Sequence, residues 1–264
     1  MPFDVRKYGP WALVTGASSG LGAEFARQLA NEKLNVLLVA RRRDRLESLA
    51  QQIESTSSVQ TRVIDADLTA EGECSRVIRE TQDLEVGLLV NNAGYGMSGY
   101  YHLLDPDRQV KMTVLNCVVP VLLTNHYLPK MIERGRGGLI FLASTAGYQA
   151  TASFGTYGAT KAFNLMLGES LWKECGGYGV DSLAVSPGFT QTEFTDVADI
   201  KDAGAFRVAT ADSVVAAAIR NLGRKPSFVH GWLNKFLNFT VRISPRRMVI
   251  AITHAMLKGR SRHT

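Results

Sequence analysis

Tyr157 and Lys161 lie four residues apart in a stretch that reads as helical. That spacing puts both side chains on one helix face, a turn apart. A free tyrosine titrates near ~10, too high for a ready base at neutral pH, and a neighbouring ammonium favours its phenolate. A tyrosine tuned in this way can pass a proton to or from a substrate oxygen. Ser144 stands thirteen residues earlier, at the end of a β-like run, and can donate a hydrogen bond to the same oxygen. Reducing a carbonyl also needs a hydride, which side chains do not carry and a nicotinamide does.

The first apolar run supplies a place for such a cofactor. It ends in Thr15-Gly16-Ala17-Ser18-Ser19-Gly20-Leu21-Gly22 and leads directly into a helical pattern. Glycines permit a tight turn there and let backbone N–H groups at the helix start approach a pyrophosphate. Gly16, Ser18, Ser19, Gly20, Leu21 and Gly22 are therefore read as cofactor-binding. The second β-like run ends Val39-Ala40-Arg41-Arg42-Arg43, and the first acid after it is Asp44. An acid at this strand end would hold a ribose 2′-hydroxyl, whereas arginine accommodates a 2′-phosphate through paired, permanently charged donors. Arg41 and Arg42 are assigned to that phosphate and Arg43 to solvent, so NADP(H) is expected over NAD(H).

These residues need a scaffold that places two chain ends 140 residues apart beside each other. Runs at Trp11–Thr15, Asn35–Ala40, Gln60–Ile64, Gly87–Asn91, Gly138–Ala143 and Val180–Val185 are apolar without polar alternation, as in strands buried on both faces. Helical patterns near 20–32, 43–55, 71–82, 107–133 and 156–175 separate them, and a helix about 211–222 and a strand near Ser227–His230 close the series. Such alternation predicts an α/β fold, a doubly wound parallel sheet of about seven strands with helices on both faces. Residues 1–231 are read as one catalytic domain and 232–264 as a helical C-terminal extension.

Together, Thr15-Gly-x-x-x-Gly-x-Gly22, Asn91-Asn-Ala-Gly94, Ser144, Tyr157-x-x-x-Lys161 and Pro187-Gly188 resemble the ordered signature of short-chain dehydrogenases/reductases across residues 10–230. The resemblance implies a Rossmann fold and catalysis by Ser144, Tyr157 and Lys161, with Asn116 completing a tetrad. It further implies that Tyr157 and Lys161 also touch the cofactor, that Asp67 and Leu68 meet the adenine, and that Asn91 and Gly94 flank the cofactor at the fourth strand. Pro187, Gly188, Thr190 and Thr192 would contact the nicotinamide amide and the phosphates. Pro120 adds a physical reason for Asn116. Proline lacks an N–H, so in one helix over 107–133 the Asn116 carbonyl loses its usual partner. In the family a water on that carbonyl links to the lysine as a proton relay.

Family topology puts the substrate among Tyr95, Met97, Tyr148, Phe154, Phe189, Phe194 and Phe206, which favours an apolar carbonyl or alcohol over a sugar phosphate. The chain carries a formal net charge of +6, unevenly spread. Residues 1–223 hold 21 Lys/Arg against 24 Asp/Glu, and from Arg224 onward there are 9 Lys/Arg and no acid. Without an aromatic–basic platform or zinc-finger spacing, nucleic acid is not an expected partner. Three scattered cysteines predict neither disulfides nor a metal site, and no N-terminal run reads as a signal peptide, so a cytoplasmic protein is expected. Trp232, Leu233, Phe236, Leu237, Phe239 and Val241 alternate with Lys235 and Arg242 in the extension. It is read as a cap packed on the body or on a second subunit of a homodimer or homotetramer, with peripheral membrane contact through 232–264 as the alternative. Functionally the leading expectation is NADP(H)-linked reduction of a carbonyl, or oxidation of the alcohol, on an apolar small molecule. Two alternatives stay open: a membrane-associated reductase of lipid-like substrates, and a non-catalytic NADP(H) sensor.

Overall fold

The computed structural model describes residues 3–191, 193, 198 and 208–257. Seven strands form one sheet: β1 (Trp11–Thr15), β2 (Asn35–Ala40), β3 (Thr61–Asp65), β4 (Val86–Asn91), β5 (Gly137–Leu142), β6 (Val180–Ser186) and β7 (Ser227–Val229). They lie in the order β3-β2-β1-β4-β5-β6-β7, every pair parallel. Covering helices are α1 (Val5–Tyr8), α2 (Gly20–Asn31), α3 (Arg43–Ser57), α4 (Glu73–Glu80), α5 (Pro106–Thr113), α6 (Val119–Glu133), α7 (Gly155–Gly176) and α8 (Ala211–Asn221). The expected doubly wound Rossmann arrangement is present.

Strand periodicity divides the core in two. Ala12 and Val14 of β1 pack with Phe25, Leu29, Leu46 and Val214 on one side of the sheet. Trp11 and Leu13 pack with Leu123, Tyr127, Met131 and Leu171 on the other. A central strand therefore has every position buried, as β1 and β4 do, and its polar residues Thr15 and Asn91 are hydrogen-bonded. β3 departs from that expectation because it lies at the sheet edge, where only Ile64 is buried.

The order reverses at β1. The chain leaves it toward β2 on one side and returns as β4 on the other, so the loops after β1 and β4 diverge and open a crevice. One hydroxyl ties that seam together: Thr15 Oγ1 donates to the Val90 carbonyl at 3.1 Å and accepts from the Asn92 and Ala93 amides, each at 3.0 Å.

The stretch expected as one helix over 107–133 is instead α5, a π-turn at Val114–Val118, and α6, with Pro120 in the first turn of α6. A wide turn just before the proline absorbs its missing hydrogen bond. The extension forms two helices, α9 (Trp232–Ile243) and α10 (Arg246–Leu257). Asn234, Asn238 and Val241 of α9 face the body, whereas Trp232, Phe236, Phe239 and Ile243 form an exposed stripe on the opposite face, Trp232 and Ile243 each at 71%.

Thr15→Val keeps the shape and removes all three seam bonds. It should lower unfolding free energy in a denaturant titration by roughly 1–3 kcal/mol, and Thr15→Ser by much less. Equal losses from both would show that the methyl group, not the hydroxyl, holds the seam.

Candidate active site

A cavity of about 810 Å³ opens where the C-terminal ends of the strands meet α2, α7, α9 and α10. At one end lies the turn after β1. Gly16 adopts a positive φ of 69°, and a Cβ there would sit 2.8 Å from Asn92 Nδ2. A Cβ on Gly22 would collide with the Gly16 carbonyl, so the turn closes only with glycine at both positions. α2 starts without a side-chain cap, leaving the first-turn N–H groups facing the cavity. Arg42 spans the turn: its guanidinium donates to Ser18 Oγ (3.2 and 3.1 Å) and to Ser19 Oγ (2.7 Å). Arg41 lines the cavity beside Asp67, and Arg43 is exposed and paired with Glu47 and Asp65. Burial raises the Asp67 carboxyl, but bonds from the Thr69 hydroxyl and amide, with Arg41 and Lys111 nearby, bring its pKa below the usual carboxylate value.

At the other end, α7 carries Tyr157 and Lys161 on one face, both 7% exposed. The Tyr157 and Ser144 hydroxyls are hydrogen-bonded. Lys161 Nζ donates to the Leu142 carbonyl at 2.6 Å and lies 5.9 Å from the centre of the Tyr157 ring. Burial pushes Tyr157 up to about 12, with the Ser144 bond pulling it down, and burial pushes Lys161 down to about 8. The lowered tyrosine expected from the sequence is thus not found, because loss of solvent is the largest influence on the phenol and the Lys161 ammonium is aimed at a carbonyl. The phenol is neutral at pH 7.

Gly16, Ser18, Ser19, Gly20, Leu21, Gly22, Arg41, Arg42, Asp67, Leu68, Gly94, Ser144, Tyr157, Lys161, Pro187, Gly188 and Thr190 all line this one cavity. Asn91 does not: it points into the core, where its amide donates to Thr124 Oγ1 at 3.3 Å, and Asn92, Ala93 and Gly94 reach the cavity instead. Parallel-strand pleating turns Asn91 inward and ends one residue later. Asn116 is also off the wall and fully buried. Its amide pairs with both the N–H (3.2 Å) and the carbonyl (3.0 Å) of Tyr95 and donates to Thr160 Oγ1 (2.9 Å). It is a clamp between the loop after β4 and α7. The Asn116 carbonyl, expected to hold a water, accepts from Asn164 Nδ2 at 2.8 Å. Thr192, Phe194 and Phe206 lie outside the described residues. Of the residues expected around the substrate, Tyr95, Phe154 and Phe189 line the cavity, whereas Met97 and Tyr148 do not.

Three features had no sequence signal. Glu193 bridges Arg42 (2.9 Å) and Arg45 (2.5 Å), which hold its carboxyl down at about 2. Thr160 receives the Asn116 amide and donates to the Tyr157 carbonyl at 2.8 Å. The extension supplies a whole side of the cavity, including Leu237, Val241, Met248 and Ile252.

The sequence profile of the family described as short chain dehydrogenase matches residues 10–202. A 7beta-hydroxysteroid dehydrogenase of Clostridium sardiniense is 31% identical over 231 residues, 87% of this chain and 88% of that protein. A structure concerned with 7beta-hydroxysteroid dehydrogenase stereoselectivity superposes with a TM-score of 0.88 at 27% identity, covering 95% of this chain and 99% of the other. A short-chain dehydrogenase from Sphingobium yanoikuyae in complex with NADPH gives a TM-score of 0.79 at 31% identity, covering 89% and 94%. Agreement in sequence and fold over most of the chain makes this protein a member of the short-chain dehydrogenase/reductase family, a nicotinamide-dependent oxidoreductase acting on CH–OH and C=O groups.

Proposed function

We propose that the protein is an NADPH-linked reductase of bulky, apolar ketones, with Tyr157 as the proton donor. The observation that carries this reading is geometric: the Tyr157 hydroxyl, hydrogen-bonded to Ser144 and with Lys161 one turn on, lies on the wall of a largely apolar cavity that also contains the glycine turn. A protonated phenol is the form that carbonyl reduction consumes. The glycine turn, the uncapped start of α2 and the guanidinium of Arg42 suit a dinucleotide carrying a 2′-phosphate. Gly16 to Gly22, Arg41 and Arg42, Asp67 and Leu68, Gly94, and the run Pro187, Gly188, Thr190 and Thr192 would hold NADPH, which supplies the hydride when bound.

The remaining chemistry belongs to side chains. Ser144 donates to the substrate oxygen and fixes its position. Tyr157 transfers its proton to that oxygen, becoming a phenolate. Lys161, mostly an ammonium at pH 7 with its pKa near 8, stabilises the phenolate. Asn116, through Thr160, holds the backbone of Tyr157 in place. Relatives named as hydroxysteroid dehydrogenases support a substrate of that size and polarity.

For the whole molecule we propose a cytoplasmic protein, built from a catalytic unit (1–231) and an extension (232–264). The inner face of α9 packs on the body, and its outer stripe suits the contact of a homodimer or homotetramer. Among the described residues no helix is long and apolar enough to cross a membrane. The basic residues beside the stripe favour one second reading, peripheral membrane contact.

Tyr157→Phe should cut kcat at least ~100-fold while leaving the Kd for NADPH within about twofold. Retained turnover would remove Tyr157 as donor. Changing Arg41 and Arg42 together to Ala should weaken NADPH about 100-fold in a fluorescence titration and NADH only slightly, as expected for losing charge-assisted bonds to a phosphate. Equal weakening would place the 2′-phosphate elsewhere. Replacing Trp232, Phe236 and Phe239 by Ser should reduce the mass seen by light scattering; an unchanged mass, with loss of flotation on anionic liposomes, would support the membrane reading.

A further inference from the structure

α9 crosses the cavity close to the loop after β6. A Cβ on Gly188 would lie 2.5 Å from Asn234 Nδ2, so helix and loop are in direct contact. Two asparagines stand one turn apart on this inner face. Asn234 is satisfied, donating to the His230 carbonyl at 2.9 Å. Asn238 is not. It is 7% exposed, and its Nδ2 is enclosed without an acceptor among the described residues. The same two helices line the cavity with Leu237, Val241, Val249 and Ile252, and with the hydroxyl residues Thr240, Ser244 and Thr253.

A buried amide without a partner destabilises the fold, and asparagine is a poor helix former, so packing alone does not account for it. The residue lines the cavity, which is where a bound molecule would meet its amide. The opposite sense of demand appears on another wall: Gln149 Oε1, in the loop after Ser144, is an enclosed acceptor with no donor among the described residues. Neither amide belongs to the Ser144–Tyr157 pair that handles the reacting carbonyl.

We propose that Asn238 is a specificity-determining residue that hydrogen-bonds a second oxygen of the substrate, separate from the carbonyl being reduced. This rests on the ketone-reductase reading and narrows it: the substrate is a bulky apolar ketone bearing at least one further oxygen, a hydroxyl above all. A hydroxyl both donates and accepts, so it satisfies the Asn238 amide in either of its two orientations and suits Gln149 as well. A site that holds a buried polar group for a substrate hydroxyl rejects the analogue lacking it, because the group then stays unpaired.

The test uses the full chain with NADPH and pairs of ring-fused ketones that match except for one added hydroxyl. The unaltered protein should favour one hydroxylated member at least about tenfold in kcat/KM. Asn238→Leu, similar in size and apolar, should abolish that preference and raise the Tm, by removing an unpartnered buried amide, while the Kd for NADPH stays unchanged. Asn238→Asp keeps the shape but can only accept, and should retain the hydroxy-ketone while losing a matched diketone. The inference is overturned if the unaltered protein does not discriminate within any pair, if Asn238→Leu lowers both members equally, or if the Kd for NADPH rises with the substitution. Absence of NADPH oxidation with every ketone removes the reductase reading itself, and this inference with it; turnover without discrimination removes the inference alone.

Discussion

The functional geometry depends on the parting of β1 and β4. Parallel strands leave their C-terminal ends on one edge, and where neighbouring connections run in opposite directions a crevice must open between them. The Thr15 hydroxyl holds that seam by satisfying one carbonyl and two amides of the loop after β4. The glycine turn on one side and Asn92 to Gly94 on the other inherit their positions from it. Asn92 reinforces the junction by donating to the Thr15 carbonyl at 2.8 Å, which explains why no side chain fits at Gly16.

Burial then sets the protonation of Tyr157 and Lys161. Removing solvent disfavours the charged form of each group, so tyrosine rises and lysine falls. With Tyr157 near 12 and Lys161 near 8, neutral phenol and ammonium coexist at pH 7. Packing keeps the pair in place. The Asn116 amide clamps Tyr95 and Thr160, and Asn164 occupies the carbonyl behind it. A Cβ at Gly94 would approach Asn116 Oδ1 to 2.8 Å and displace this clamp.

The extension is two-faced. A solvent-facing helix normally keeps one apolar stripe, toward the core. α9 has apolar residues on both sides: the inner ones close the cavity, and Trp232, Phe236, Phe239 and Ile243 face outward. The same helix thus lines the cavity on one face and presents an apolar surface on the other.

Local pattern was enough to read much of this protein. The limits of β1 and β2 follow from unbroken apolar runs, the tight turn after β1 from three glycines in eight residues, and the Tyr157–Lys161 face from helical spacing, because each depends on residues within a turn or strand of one another. Tertiary structure decided the rest. Glu193 meets Arg42 across 151 residues, and Asn164 reaches the Asn116 carbonyl across 48. A single-residue step in the pleat separates Asn91, turned inward, from Asn92 on the cavity wall. The direction of the Tyr157 shift was read the wrong way from the sequence, which shows a lysine nearby but not how much solvent is excluded. Solvent exclusion and long-range contacts arise only when distant segments pack, so spacing along the chain carries no signal for them.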